Sequence, residues 1–420
     1  MTDEGWIGAV LAGARPQAVA ALLRWFRDLD AAEEAFQEAC LRALKTWPRN
    51  GPPRDAAAWL ILVGRNAGID GVRRQSRERP LPPEAAFSDL SDAEAALVDR
   101  LDAADYRDDI LRLLFICCHP SLGPAQQIAL ALRVVSGVPL SRIARAFLVS
   151  EAAMEQRITR AKRAVAAATA RFETPGAVER SERLAAVAAM VYLLFNEGYT
   201  TDVAAHGARA PLCTEAIRLG RLLLRLFPAE PEIMGLLALL LLQHARAPSR
   251  FDACGGVVLL EAQDRKLWDA TMIAEGLALV EKAMRHRRPG PYQVQAAIAA
   301  LHVQAPDAAA TDWAGIERLY AALERMQPSP VVTLNRAVAV SKVSGPEAAL
   351  AMIEPLESAL GSYFYLHGLR GALLGDLGRD AEARDAFSRA IALANTPAEA
   401  AHIRDRIDQL AGDGRAREKI

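Results

Sequence analysis

The chain has few cysteines, no long apolar run and almost no net charge. Its 420 residues include five cysteines, at positions 40, 117, 118, 213 and 254. None are spaced as C-x-x-C, and an odd number gives no disulfide framework. A reduced, cytoplasmic setting is therefore expected. The longest apolar run, Ile233–Leu242, is too short to cross a bilayer. Residues 1–14 hold two acids and no base ahead of their apolar stretch, which is unlike a secretory signal. No membrane association is expected. Walker loop, zinc-protease signature and Gly-rich cofactor turn are all missing. No catalytic residue, cofactor or metal is thus expected, and the chain reads as a non-enzyme. Alternating β-branched stretches are missing too, which argues against sheets.

What is abundant is Ala, Leu and Arg, all strong helix formers. Hydrophobic residues make up 52% of the chain, enough for sizeable cores. The length favours two or three domains, and the expected fold class is all-α.

The net charge of −1 argues against a general nucleic-acid binder, but it conceals a pattern. Arg133 to Arg171 holds eight Lys or Arg against two acids, Glu151 and Glu155. Glu84 to Asp109 holds nine acids against two Arg. A DNA-reading module beside a solvated linker has this charge layout.

Helical spacing runs through Ala18–Arg27 and Ala31–Trp47. Pro48, Gly51, Pro52 and Pro53 then break it. Asp55 is placed to cap the next helix, Ala56 to about Gln75. Residues 76–106 carry Pro80, Pro82, Pro83 and the acidic stretch, and read as a linker. A second helical unit opens with Asp108–Cys118, breaks at Pro120 and Gly123-Pro124, and resumes to Val135. After Ser136-Gly137 come helices at Ser141–Phe147 and Glu151–Arg171. Their short joint, Leu148-Val149-Ser150, has helix-turn-helix spacing.

In that unit Ser141 and Ser150 are placed to cap the two helices. Met154, Ile158, Ala161 and Val165 follow i, i+4, i+7, i+11 and should pack inward. Gln156, Arg157, Arg160 and Arg163 then face outward. Arg and Gln near the start of a helix suit major-groove readout, with the other cations on phosphates. A basic solvated face on a structural helix is the blander alternative.

From about Ser181 onward antiparallel helix pairs are expected. Pro330–Ser344 with Pro346–Leu360 and Tyr363–Leu377 with Asp380–Ala394 repeat at about 33 residues, near the tetratricopeptide period. Small residues mark the second pair's seam: Gly368, Gly371, Ala372, Gly375, Ala383, Ala386 and Ala390. Cys117-Cys118-His119 looks like metal ligands, yet adjacent cysteines rarely serve one zinc, so buried thiols are expected. Asn196-Glu197-Gly198-Tyr199 is either a polar site or a helix end stopped by Gly198. Arg285–Arg288 reads as a solvated helix end or loop.

Two further stretches carry a resemblance. Trp59-Leu60-Ile61-Leu62-Val63-Gly64-Arg65-Asn66, running into Ile69-Asp70-Gly71-Val72-Arg73-Arg74, resembles the promoter-melting and −10 recognition helix of the sigma-70 family. Leu29-Asp30-Ala31-Ala32-Glu33-Glu34-Ala35-Phe36-Gln37-Glu38-Ala39 resembles that family's core-polymerase-binding helix, and residues 122–165 its −35-reading domain. No third region intervenes, as in extracytoplasmic-function (ECF) members. The resemblance implies region 2 at 1–76, an acidic linker at 77–106, region 4 at 107–172 and a C-terminal helical-repeat domain at 181–412. It implies core RNA polymerase and promoter DNA as partners. Glu33, Glu34, Gln37 and Glu38 would meet polymerase. Asn66, Asp70, Arg73 and Arg74 would meet −10 DNA. Ser150, Gln156, Arg157, Arg160 and Arg163 would serve the −35 element. Trp59 is expected in the core, with stacking on a separated base as the alternative. Glu155 departs from the pattern, standing where many members have a base. The long tail resembles that of a group whose tetratricopeptide-like domain regulates or supports sigma activity, through a regulatory protein or an intramolecular contact. The competing function is a stand-alone DNA-binding regulator with a helical-repeat sensor; the acidic helix at 33–38 argues against it.

Overall fold

The computed structural model describes residues 5–76, 103–147, 149–168, 177–199, 203–252, 256, 258–394 and 396–417. Among the described residues the chain is predominantly helical and forms no strand. It divides into two compact units, Met1–Leu193 and Leu194–Ile420. The expected linker at 77–106 lies outside the described residues as far as 102.

In the first unit, α1 (Gly5–Phe26), α2 (Leu29–Asn50) and α3 (Ala56–Ser76) pack on one another. Ala18, Leu22, Phe36, Ala39, Leu60 and Val63 make their core. Gly64 lets α3 approach closely: a Cβ there would lie 2.9 Å from the Ala35 carbonyl oxygen. α1 begins at Gly5, well before the expected Ala18, and carries Pro16 inside it. Trp6–Phe26 is long and apolar enough to cross a membrane, but half of its apolar window is buried within the fold. α2 also runs past Pro48, the expected break. A proline in the last turn forfeits only one backbone bond. The helix stops at Gly51, whose φ of 77° turns its N–H onto the Trp47 carbonyl. Asp55 caps α3 as expected, its Oδ1 accepting from the amides of Ala57 and Ala58. Trp59 is half-buried, edge-on to Trp47 at 5.3 Å.

The unit continues with α4 (Ala103–Cys117), α5 (Pro124–Val134), α6 (Leu140–Ala146) and α7 (Glu151–Ala168). Ser141 does not cap α6. That helix opens one residue earlier, directly after Pro139, and no side chain caps it. Ser150 does cap α7, its Oγ accepting from the Ala153 amide. Cys117 and Cys118 are buried, and burial pushes both thiols up, Cys118 to about 12. His119 instead pairs with the Ser121 hydroxyl. α8 (Ala177–Gly198) carries the boundary between the units.

The second unit is organised around α10 (Pro231–His244), which follows α9 (Val203–Leu226). Every residue from Ile233 to Leu242 is buried. α9, α11 (Ala270–Arg285) and α12 (Pro291–Gln304) pack around it. The Glu232 carboxylate accepts from the amides of Tyr292 and Gln293 at the start of α12, where helix amides have no partner of their own. A feature the sequence reading missed lies between α10 and α11. There the described residues, 245–252, 256 and 258–269, form no α-helix but only short 3-10 turns, and the two ends of the segment meet, the Asp269 amide donating to the Ala245 carbonyl. Within it, the Trp268 indole donates to Ser249, and Arg246 donates to the Tyr199 hydroxyl. Tyr199 follows the Gly198 helix end and also lies 3.6 Å beneath the Arg250 guanidinium.

Beyond α13 (Trp313–Met326) come the two pairs with repeat spacing. α14 (Pro330–Ser344) pairs with α15 (Pro346–Ile353), which is extended by short turns through α16 (Glu357–Leu360). α17 (Phe364–Asp376) pairs with α18 (Asp380–Ala392), and α19 (Pro397–Arg417) follows. The small-residue seam holds in part: Ala383, Ala386 and Ala390 are buried and a Cβ on Gly371 would meet the Phe387 ring at 2.5 Å, whereas Gly368 and Gly375 face Ile403 and Leu410 of α19 instead. Arg285–Arg288 is exposed, as expected of a solvated helix end.

His302 on α12 is pulled down to about 4 by burial, with Arg246 and Arg265 adding to the effect. Its neutral form is thus favoured in the folded state. The stabilisation is complete above the unfolded value of about 6.5 and is lost as pH falls from there through about 4. His302→Gln is expected to flatten the pH dependence of thermal unfolding of the second unit across that window, as read by calorimetry. A dependence identical to that of the parent chain would contradict this.

Candidate polymerase and nucleic-acid interfaces

On α2 the pattern of burial separates two faces. Ala32, Ala35, Phe36, Ala39 and Ala43 point into the core. Glu34, Gln37, Leu41 and Leu44 follow i, i+3, i+7, i+10 and form one exposed stripe. Leu41 is 55% and Leu44 48% exposed, high for leucines on a helix with a good core at its back. Glu38 is partly buried and pairs with Arg42 at 3.1 Å. The two leucines were missed in the sequence reading, although they continue the Glu34–Gln37 spacing.

Glu33 differs from its neighbours. Its side chain is only 7% exposed. Oε1 accepts from Arg15 Nη2 at 2.9 Å and Oε2 from Lys162 Nζ at 2.6 Å. Lys162 also donates to Asp30 at 2.6 Å. Burial pulls the Lys162 pKa down, but its hydrogen bonds to Asp30 and Glu33 outweigh that and hold it above the ordinary value. Arg15 is pulled below its ordinary value, chiefly by burial. Its guanidinium also donates to the carbonyls of Val134 and Arg133. This places it at the C-terminal end of α5, where helix carbonyls lack partners.

On α3, Asn66 is exposed. Arg65 is held over the Trp25 ring at 3.7 Å. Asp70, Arg73 and Arg74 lie on the same helix, but their side chains fall outside the described residues.

On α7 the inward residues are those expected: Met154, Ile158, Ala161 and Val165 are all buried. Gln156, Arg160 and Arg163 are exposed and follow i, i+4, i+7. Arg157 is half-buried, 5.8 Å over the Phe147 ring. Glu155 is exposed on the flank. A capped helix with a dry back and a stripe of Arg and Gln on its front fits a major groove. Among the described residues no cluster of His, Cys, Asp and Glu is arranged to hold a metal.

Comparison with known proteins agrees with this geometry. Residues 11–78 match sigma-70 region 2, and residues 112–165 match sigma-70 region 4. Two regions characteristic of the sigma-70 family are both matched within the first unit. Region 2 thus comprises most of α1 together with α2 and α3, and region 4 spans α4 to α7. The chain is 28% identical over 165 residues to proteins of two Mycobacterium tuberculosis strains named as probable ECF RNA polymerase sigma factor SigI. That match covers 39% of this chain and 56% of theirs. An uncharacterised protein of Rhizobium meliloti (strain 1021) is 70% identical over 413 residues, 98% of each chain. Residues 183–284 match a family of unknown function, DUF6596.

Ser150 positions the exposed stripe of Gln156, Arg160 and Arg163 by fixing where α7 starts. Ser150→Ala is expected to lower the stability of the first unit by about 1 kcal/mol, the usual worth of such a cap. Urea unfolding followed by circular dichroism reads this, and an unchanged midpoint would assign the start of α7 to its packing alone.

Proposed function

We propose that this protein is a sigma factor of the ECF type, binding core RNA polymerase and directing promoter-specific initiation in the cytoplasm, with the second unit supporting that activity. The observation that carries the reading is the exposed stripe on α2. A DNA-binding regulator acting alone would need α7 but would have no use for Glu34, Gln37, Leu41 and Leu44 together. A stripe of two leucines beside an acid and an amide suits a helical protein partner. In this reading α2 docks on polymerase through Glu34, Gln37, Glu38, Leu41 and Leu44. α3 meets −10 DNA through Asn66, Asp70, Arg73 and Arg74. α7 meets the −35 element through Gln156, Arg157, Arg160 and Arg163, with Ser150 capping the helix. Glu33 joins the polymerase contact only if it leaves Lys162.

The test is run-off transcription with purified core polymerase on the protein's own upstream promoter. The parent chain is expected to give a specific transcript. Glu34→Ala with Gln37→Ala, and separately Leu44→Ala, are expected to weaken core binding at least about tenfold, roughly 1.4 kcal/mol. Unchanged binding in both would remove α2 from the polymerase interface.

The second unit is read as a tetratricopeptide-like support rather than a DNA contact. In its last pair Asp376, Asp380, Glu382 and Asp385 offset Arg379, Arg384 and Arg389. Arg379 and Glu382 are already paired with each other. Such a surface suits a protein contact better than a phosphate backbone. A chain cut after Gly198 keeps Arg183, which lies over Phe115. That shortened chain is expected to lose most run-off activity at matched concentration. Activity equal to or above the full-length level would overturn a supporting role.

A further inference from the structure

We propose that the second unit carries a binding site for a small oxyanion, a phosphate or carboxylate group, in which Arg246 and Arg250 are gathered on Tyr199 and Arg265 adds its charge from beside them. The site lies outside both stretches matched to the sigma-70 regions, so it does not depend on the function proposed above.

All three arginines lie on the segment between α10 and α11, and none of them is fully in solvent. Arg250 is only 8% exposed. Tyr199 brings the first two together. Its hydroxyl accepts from Arg246 Nη2 at 2.9 Å, and its ring lies 3.6 Å from the Arg250 guanidinium carbon. The Phe195 ring stacks behind Tyr199 at 5.3 Å and holds it in place. Arg265 donates to the His302 and Ala305 carbonyls at the end of α12, at 2.6 and 2.9 Å. Its guanidinium lies over the Trp268 ring at 4.7 Å. The Trp268 indole donates to Ser249, the residue before Arg250, at 2.8 Å, so one frame carries the cations. The charges act on one another. Burial pulls Arg250 below its ordinary value, and Arg246 adds to that. Burial also pulls Arg265 down, with Asp307 opposing and Arg246 adding.

Elsewhere in this unit a half-buried arginine meets a carboxylate. Arg336 pairs with Glu317 at 2.6 Å and with Glu324 at 2.9 Å, and Arg370 pairs with Glu357 at 2.8 Å. Arg246 and Arg265 form no ion pair among the described residues, and the groups they donate to are a phenol and two carbonyls. The acids in the neighbourhood serve other groups. Glu261 pairs with Lys342 at 3.0 Å, Asp307 accepts from the Ala310 amide at 2.8 Å, and Asp252 accepts from the Gly256 amide at 2.7 Å. Like charges drawn out of water with no counter-charge between them are costly, and an entering anion removes that cost. The guanidinium fork matches phosphate and carboxylate oxygens in pairs. Arg285, Arg287 and Arg288 make a useful contrast: they are as many, but all are exposed and hydrated. A nucleic-acid backbone needs cations on an open face, whereas withdrawn cations suit a compact anion.

The test is calorimetric titration of the full-length protein with inorganic phosphate and, separately, with malonate, in chloride buffer at constant ionic strength. Saturable binding of at least one probe is expected, and the preferred probe tells a phosphate ligand from a carboxylate ligand. Arg246→Gln is expected to weaken that binding at least about tenfold, since it removes a charge-assisted contact. Arg287→Gln removes an exposed cation instead and is expected to change it less than about twofold. Tyr199→Phe keeps the ring beneath Arg250 but removes the hydroxyl that holds Arg246, and is expected to weaken binding about two- to fivefold. This milder variant decides the case where circular dichroism shows Arg246→Gln to be unfolded. The site is overturned by the lack of saturable binding of both probes. It is equally overturned by parental affinity in the folded Arg246→Gln and Tyr199→Phe proteins, or by a loss in Arg287→Gln as large as that in Arg246→Gln.

Discussion

The Glu33 carboxylate sits out of water, and the first unit is arranged to satisfy it. An isolated buried carboxylate is costly enough that it must be paired or protonated. Here it is paired twice, and each partner has its own demands. Arg15 would be an uncompensated cation without Glu33, so it also takes carbonyls at the end of α5. Lys162 belongs to a helix that shows Arg160 and Arg163 to solvent, and it is drawn to region 2 by Glu33 and Asp30 together. Gly137 is the concession made by region 4, since a Cβ there would lie 2.7 Å from Arg15 Cδ. Removing one partner from such a group typically costs about 3–5 kcal/mol, whereas removing all members together costs far less. The same carboxylate therefore couples residues that a domain-by-domain description would treat separately.

Both interfaces follow one economy of design. A short helix is fixed on its back by small or branched apolar residues, and its front is left free. On α2 the alanines allow close packing with α1 and α3, so Leu41 and Leu44 are not needed for the core and remain outside. On α7 Met154, Ile158, Ala161 and Val165 do the packing, and Ser150 sets the helix start. The chemistry of each front then follows from residue type. Leucines beside Glu34 and Gln37 favour a protein helix. Arg160 and Arg163 beside Gln156 favour base edges and phosphates.

Helices and their caps were legible in the sequence wherever local chemistry decides them. Asp55, Ser150 and the inward face of α7 were readable because capping and a period of 3.6 are properties of a few neighbouring residues. So were both C-terminal pairs, through their repeat spacing and, in the second, the small residues at 371, 383, 386 and 390. Ser141 was misread because the helix opens one residue earlier, at Leu140, where the Pro139 carbonyl already accepts from the amides of Arg142 and Ile143. The continuation of α2 past Pro48 was missed because a proline stops a helix less firmly in its last turn. The loop at 245–269 carries no turn signature strong enough to distinguish it from a poor helix. Its closure depends on Tyr199, nearly fifty residues earlier. Glu33 illustrates the main limit. In sequence it is one of four polar residues on an acidic helix, and nothing local separates it from Glu34. Its burial is caused by Arg15 and Lys162, which spacing along the chain cannot bring together.

Helix α10 has a bearing on how the second unit comes apart. Helical-repeat arrays usually unfold by erosion, because each repeat touches only its neighbours. A helix buried from Ile233 to Leu242 cannot leave in that way, since exposing it strands the apolar faces of α9, α11 and α12 at once. Gly235 and Gly276 tighten the arrangement by letting α12 and α11 approach it. The segment around α10 should therefore melt as one cooperative block, while α17 to α19 at the far end can fray a pair at a time. Amide exchange in this unit would then be graded, slowest at the Leu236–Leu242 amides and progressively faster toward Arg417.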